Sequence, residues 1–237
     1  MKIRSSCAVV LFYILIISIF IAATYLGSEV TSVVAQMIPV QREHIIVIDA
    51  GHGGIDGGAT SCTGALESKF NLDIALKLND LFHLLGYKTI MVRTADVSVY
   101  TRGETIAQKK VSDLKERVRI VNQTEDAVLI SIQQNTFSDS QYSGAQVFYG
   151  PKGEGQAFAV AMQDAFCQTV NPGSNRKSKK AENIYLLQNI ACTGVLVECG
   201  FLSNPEEEAK LRREDYQKNI CCVIAATTGQ FLMNANT

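Results

Sequence analysis

The chain has 237 residues, 47% of them hydrophobic, with 22 Lys plus Arg against 23 Asp plus Glu and only four Pro. That composition excludes a disordered, collagenous or low-complexity protein, and a formal charge of −1 leaves no basic footprint for nucleic acid. The length suits one domain, or at most two small ones.

In chain order, Lys2 and Arg4 precede an uncharged apolar run over 7–26. A bilayer-crossing helix needs roughly 20 apolar residues, whereas a signal-peptide core spans roughly 7–15. The run is apolar on every face, which argues against a buried helix of the fold. Val33-Val34-Ala35 offers small residues for cleavage. Residues 1–36 therefore read as a signal peptide or membrane anchor, with length favouring the anchor. Residues 37–237 read as one exported domain, since Lys2 and Arg4 stay inside.

Residues 44–49 form a short β-branched run that predicts a buried strand. Phe70, Ile74, Leu78, Leu81 and Leu85 recur at helical spacing over 67–85, and Gly86 ends that helix. Residues 88–93 predict a second strand, 94–112 an irregular or partly helical stretch, 114–122 a helix and 127–132 a third strand. Beyond these, 146–149 reads as a strand, 154–169 as a helix, 171–180 as a polar linker, 184–187 as a short strand and 195–198 as a buried strand. Asn204-Pro205-Glu206-Glu207 has the composition of a helix start, and a last helix covers roughly 216–232. Strands alternating with helices predict an α/β domain whose sheet is largely parallel or mixed, covered on both faces.

Cys62, Cys167, Cys192, Cys199, Cys221 and Cys222 follow the hydrophobic segment. Six cysteines in an exported chain permit disulfides in 15 complete pairings. No C-x-x-C occurs, and the spacings match no disulfide framework, so most thiols are expected to be free and buried.

Three residues stand out chemically. His52 lies just past the first strand in a glycine-rich turn, and α/β folds place their sites at the C-terminal ends of strands. Alone it decides little, because a single histidine is more often structural, and GHGGIDGG fits neither phosphate-loop pattern. Glu67 opens the next helix, where it either complements the helix dipole or joins His52 as the His-plus-Glu pair common in catalytic zinc sites. Glu198 ends the apolar run Val195-Leu196-Val197, a placement suited to a general acid or base. The plainer alternative makes it a partner for a buried backbone group or a basic side chain.

Taken together, IDAGHGGIDGGA (48–59), GALESKFNL (64–72), RTAD (93–96), LKERVRIVN (114–122), DAVLISIQQN (126–135), GAQVFY (144–149) and VLVECGFLSNPEEEAKL (195–211) resemble the zinc-dependent N-acetylmuramoyl-L-alanine amidases of the Amidase_3 family. The single domain behind one hydrophobic segment looks most like the germination-specific, spore-cortex branch. The resemblance implies cleavage of the amide between N-acetylmuramic acid and L-alanine in peptidoglycan, which in cortex prepares muramic-δ-lactam. It also implies Zn2+ as cofactor, His52 and Glu67 as ligands and Glu198 as the catalytic glutamate.

One position departs from that pattern. The family's third ligand is a histidine in an S-I-H-x-N motif, and here Ser131-Ile132-Gln133-Gln134-Asn135 puts Gln133 in its place. An amide oxygen is a poorer zinc ligand than an imidazole, so weak or partial zinc occupancy is expected. His44 and His83 lie too far along their strand and helix to substitute. Three readings follow: a deliberately inactivated amidase, a natural amidase with weak zinc affinity helped by an accessory protein, or a non-catalytic peptidoglycan-binding relative. A membrane-anchored interaction module is a further, weaker class. The cluster Arg176, Lys177, Lys179, Lys180 reads as a solvated loop, with a less favoured reading in which it meets peptide carboxylates of the glycan.

Overall fold

The computed structural model describes residues 44–235. The assignment of 1–36 as signal or anchor lies outside the described residues. Among those described, no helix is long and apolar enough to cross a membrane.

Six strands and six helices make up the described chain. The strands are β1 (Ile45–Ala50), β2 (Lys88–Met91), β3 (Ala127–Asn135), β4 (Gln146–Tyr149), β5 (Lys179–Lys180) and β6 (Thr193–Phe201). The helices are α1 (Glu67–Leu84), α2 (Ile106–Gln123), α3 (Gly155–Gln168), α4 (Tyr185–Asn189), α5 (Pro205–Leu211) and α6 (Glu214–Ala235). The sheet order is β2-β1-β3-β6-β4-β5. β2, β1, β3 and β6 run parallel, and β4 runs antiparallel to β6 with β5 parallel to β4. The sheet is therefore mixed.

Alternation along the strands separates two apolar layers. Ile46, Ile48, Ile130, Ile132, Val195 and Val197 face α1, α3 and α6, where Phe82, Phe158 and Phe166 are fully buried. Truncating any of these aromatics to Ala would cost about 3–5 kcal/mol. Val47, Leu129 and Leu196 face the other way, onto α2 and α4. Each central strand thus begins as a continuous apolar run because both its faces are covered. On the α2 side the run turns polar toward the C-terminal end, at Asp49 and Ser131.

Two elements differ from expectation. α2 begins at Ile106, well before residue 114, because Thr105 and Gln108 form a capping box that starts the helix without an apolar stripe. Ile106 and Val111 are exposed on it, so hydrophobic periodicity could not reveal that turn. Residues 184–187 read as a strand, yet Tyr185–Asn189 is a helical turn that buries Leu186 and Leu187 against the sheet. Short apolar runs do not distinguish the two. The polar 171–180 stretch ends in the two-residue edge strand β5. Asn204 caps α5 as expected, accepting from the Glu206 and Glu207 amides at 2.9 and 3.1 Å. The described cysteines are free thiols, but only Cys199 and Cys221 are buried, while Cys62 and Cys222 are exposed.

Candidate active site

β1, β3 and β6 present their C-terminal ends side by side, and the four residues singled out in the sequence meet there. Asp49 pairs with Ser131 across β1 and β3, and Gln133 pairs with Glu198 across β3 and β6. Beyond that pair the register slips, so that Asn135 pairs with Phe201 and β6 holds one extra residue. Such a bulge re-aims side chains at the point where a strand leaves the sheet.

The turn after β1 is held by two buried arginines. Arg93 donates Nε to the Ala50 carbonyl at 2.7 Å and Nη2 to the Gly51 and Ser68 carbonyls at 2.9 and 2.8 Å. Arg117, only 2% exposed, donates Nη1 to the Ala50 carbonyl at 2.9 Å and Nη2 to the His52 carbonyl at 2.7 Å. Its charge is met by Asp49 and, at 2.6 Å, by Asp113. Burial works against that charge, but the two carboxylates outweigh it and hold the guanidinium pKa above its ordinary value. These clamps matter because His52 has φ +58°, a left-handed conformation unfavourable to any residue with a Cβ.

The imidazole is fixed at both nitrogens. Nδ1 lies 3.0 Å from Asp56 Oδ2, so the carboxylate keeps the proton on Nδ1. Burial raises the Asp56 pKa, yet Lys110, whose Nζ is 2.7 Å away, and His52 together hold it below the usual value. Nε2 lies 3.4 Å from Glu67 Oε2. Glu67 is 4% exposed and accepts from Ala59 N at 2.9 Å, Gln134 N at 3.0 Å and Asn71 Nδ2 at 3.4 Å. Gly58 at φ +69° lets the loop pass this close, since a Cβ there would sit 2.6 Å from Glu67 Oε2 and 2.8 Å from the His52 ring.

Gln133 lies flat on Gly51, where a Cβ would fall 1.9 Å from its amide nitrogen. Its Oε1 is 3.5 Å from Asn71 Nδ2, and its Nε2 reaches Ser131 Oγ at 3.4 Å, which in turn donates to Asp49 at 2.6 Å. Glu198 is different. Its Oε2 is buried and finds no hydrogen-bond partner among the described residues. Burial, with the nearby Glu67 charge adding to it, pushes its carboxyl up to about 8. His44 and His83 lie elsewhere, against the Asp126 carbonyl and the Thr89 hydroxyl.

The donor set gathered here is one imidazole nitrogen, the Glu67 carboxylate and the Gln133 amide, with the Glu198 carboxyl across from the amide. Asp56, Asn71, Arg93 and Arg117 complete it, and sequence reasoning did not single them out. A signal existed for Asp56, an acid four residues past His52 in a glycine-rich turn, and for the arginines, which fall inside the quoted RTAD and LKERVRIVN segments.

Comparison with known proteins identifies the chain's relatives. The Amidase_3 family, N-acetylmuramoyl-L-alanine amidase, matches residues 46–227. A germination-specific N-acetylmuramoyl-L-alanine amidase of Bacillus subtilis is 36% identical over 182 residues, 76% of each chain. The CwlD amidase from Clostridioides difficile, solved in complex with the GerS lipoprotein, superposes with a TM-score of 0.76 at 36% identity, over 80% of this chain and 98% of that one. The catalytic domain of CwlV, an N-acetylmuramoyl-L-alanine amidase from Bacillus (Paenibacillus) polymyxa var. colistinus, gives 0.67 at 29% identity, over 80% and 98%. A mixed α/β sheet, a turn presenting His52 toward Glu67 and a family match across nearly all the described residues agree: the chain belongs to the Amidase_3 family of N-acetylmuramoyl-L-alanine amidases.

Proposed function

We propose that this chain hydrolyses peptidoglycan at the amide between the lactyl group of N-acetylmuramic acid and L-alanine, acting outside the membrane on cell wall or spore cortex. The observation that carries the reading is the unpartnered, buried Glu198 carboxyl beside the His52–Glu67 pair in a chain of this family. The germination-specific relative supports the cortex assignment and, with it, muramic-δ-lactam formation.

A zinc ion fits two of its three expected positions. His52 Nε2 and Glu67 Oε2 lie 3.4 Å apart, close enough to share a cation between them. Imidazole and carboxylate suit zinc. Gln133 offers only an amide at the third position, and among the described residues no group of three His, Cys, Asp or Glu side chains is placed to hold a metal ion. His52 and Glu67 would therefore hold the ion weakly, with the Gln133 oxygen as a poor third ligand. When bound, zinc would polarise the scissile carbonyl and acidify an attacking water. Glu198 would take a proton from the attacking water and deliver it to the leaving amine nitrogen. In the metal-free chain, burial and the Glu67 charge raise the Glu198 pKa to about 8, which brings its proton exchange into the range near neutral pH. Asp56 keeps the imidazole in the tautomer that leaves Nε2 free.

Residues 1–36 would tether the domain to the membrane if uncleaved. The GerS complex of the C. difficile relative supports an accessory protein as a further partner. The Gln133 amide favours a second reading, a non-catalytic peptidoglycan binder on the same fold.

One experiment separates the two. Zinc per chain and muropeptide release are measured for the chain as it stands and for Gln133→His. The amidase reading expects sub-stoichiometric zinc and slow release in the former, with both rising together in the latter. Retention of peptidoglycan without release in either form favours the binder. Full zinc and equal release in both show that Gln133 is a competent ligand or that the ligand set is different.

A further inference from the structure

The amidase reading leaves the basic residue Arg176 unused, yet the fold sets it beside the site. A cavity of about 1010 Å³ opens past the C-terminal end of β6, walled by Tyr142, Asn171, Arg176, Asn204, Glu207 and Lys210. Arg176 is fixed there by neutral oxygens. Its Nε donates to the Ser143 carbonyl at 2.8 Å, its Nη1 to Gln146 Oε1 at 3.3 Å, and its guanidinium lies 4.8 Å over the Phe201 ring. The link to the chemistry is short, because Gln146 pairs across the strands with Glu198, and Phe201 follows Glu198 by three residues. Phe137 meets Tyr142 edge-on and Tyr142 lies tilted against Phe201, a row that ends at Arg176, with centroid separations of 4.8 and 6.3 Å.

The cavity wall carries two cations and two acids, and it is the open edge of the Arg176 guanidinium that points to an anionic guest. Among the described residues Arg176 forms no ion pair and its Nη2 makes no hydrogen bond, and Lys210 has no ion pair either. Of the two acids on the wall, Glu207 spends Oε2 on the Gly144 and Phe201 amides at 2.8 and 2.9 Å and meets Lys210 and Arg176 only through space, and Glu206 is exposed. A pre-oriented guanidinium with an open edge is suited to a carboxylate. The bond cut by this enzyme joins a sugar to a peptide that bears carboxylates. We propose that the cavity receives the peptide arm of the substrate and that Arg176 reads one of its carboxylates, with Lys210 adding charge and Tyr142 an apolar wall. This subsite rests on the amidase reading.

The test is equilibrium binding to the full chain in detergent, which needs no turnover. Two probes are used: a disaccharide–peptide with free peptide carboxylates, and the same compound with those carboxylates converted to amides. The wild type is expected to prefer the free acid about tenfold, the scale of one charged hydrogen-bonded contact. Arg176→Gln should lose that preference while binding the amidated probe as the wild type does, and Arg176→Lys, which keeps the charge without the fork, should retain part of it. A general structural defect would weaken both probes alike. The subsite is overturned if the wild type binds both probes equally, or if Arg176→Gln keeps the preference. Should Arg176→Gln not fold, the wild-type preference and its reduction in Arg176→Lys decide the matter. A wild type that binds neither probe overturns the amidase reading itself, and the subsite with it.

Discussion

The two halves of the site are built on opposite plans. The His52 and Glu67 side chains are themselves committed, though the neighbouring Ser68 Oγ and Gln134 Oε1 are buried without hydrogen-bond partners among the described residues: both ring nitrogens face carboxylates, Glu67 accepts three N–H groups, and two arginines pin the turn. At Glu198 one carboxyl oxygen has no hydrogen-bond partner among the described residues, and its pKa is raised to about 8. The first half is rigid because its hydrogen bonds over-determine it. The second titrates nearer neutrality because burial and the Glu67 charge disfavour its ionised form. Holding a ligand and moving a proton need those opposite properties, and Gln133 sits on the seam between them.

The sharpest way to separate the halves is Glu198→Gln in the Gln133→His background. It should leave zinc affinity unchanged and lower muropeptide release by about 10²–10⁴-fold, the scale of one acid–base group; unaltered release would show that the proton is handled elsewhere. Next in size, Asp49→Ala leaves Asp113 as the one carboxylate still paired with buried Arg117 and should cost about 1–3 kcal/mol in denaturant unfolding. A loss under about 1 kcal/mol would mean that the rigid half does not depend on this pair. Asp56→Asn removes the anchor on Nδ1 and should weaken zinc binding by about 10–100-fold in titration, with the fold retained. Equal affinity would show that Arg117 and the glycine-rich turn suffice to orient the ring.

The smallest effect concerns pH. Glu198 has a folded pKa of about 8 against an ordinary 4.5, so between those values the unfolded chain binds fewer protons than the folded one. The Glu198 contribution to metal-free stability is therefore full below about pH 4.5 and is lost as pH rises through about 8. Denaturation midpoints of the metal-free chain should fall across that window, and Glu198→Gln should flatten the decline. Parallel curves for the two proteins would assign the slope to other groups.

What was legible beforehand follows the same division. Buried strands such as Ile45–Ala50 and the amphipathic helix Glu67–Leu84 show themselves through periodicity, and Asn204 through cap chemistry. His52, Glu67 and Glu198 could be picked out because each lies at the end or start of a periodic segment, and Gln133 because it falls at the family's third ligand position. The first turns of α2 could not, because a capping box rather than an apolar face begins that helix. Arg117 reads as one more surface cation in LKERVRIVN, and only the fold shows it turned inward onto Asp49 and the His52 carbonyl. Long-range polar pairs carry no local pattern, so the clamps on the turn stayed invisible while the residues they clamp did not.

β4 runs against its neighbours, and this has a consequence for how such an enzyme can diversify. The parallel strands β1, β3 and β6 deliver their last residues to the catalytic end, whereas β4 delivers its first. The 136–145 connection, with Phe137, Tyr142 and Ser143, therefore arrives over the site from the β4 side without being threaded through the His52 turn. Insertions and deletions there leave the central register intact. Substrate preference can drift along this connection across generations while the hydrolytic corner stays fixed, a division of labour written into the direction of a single four-residue strand.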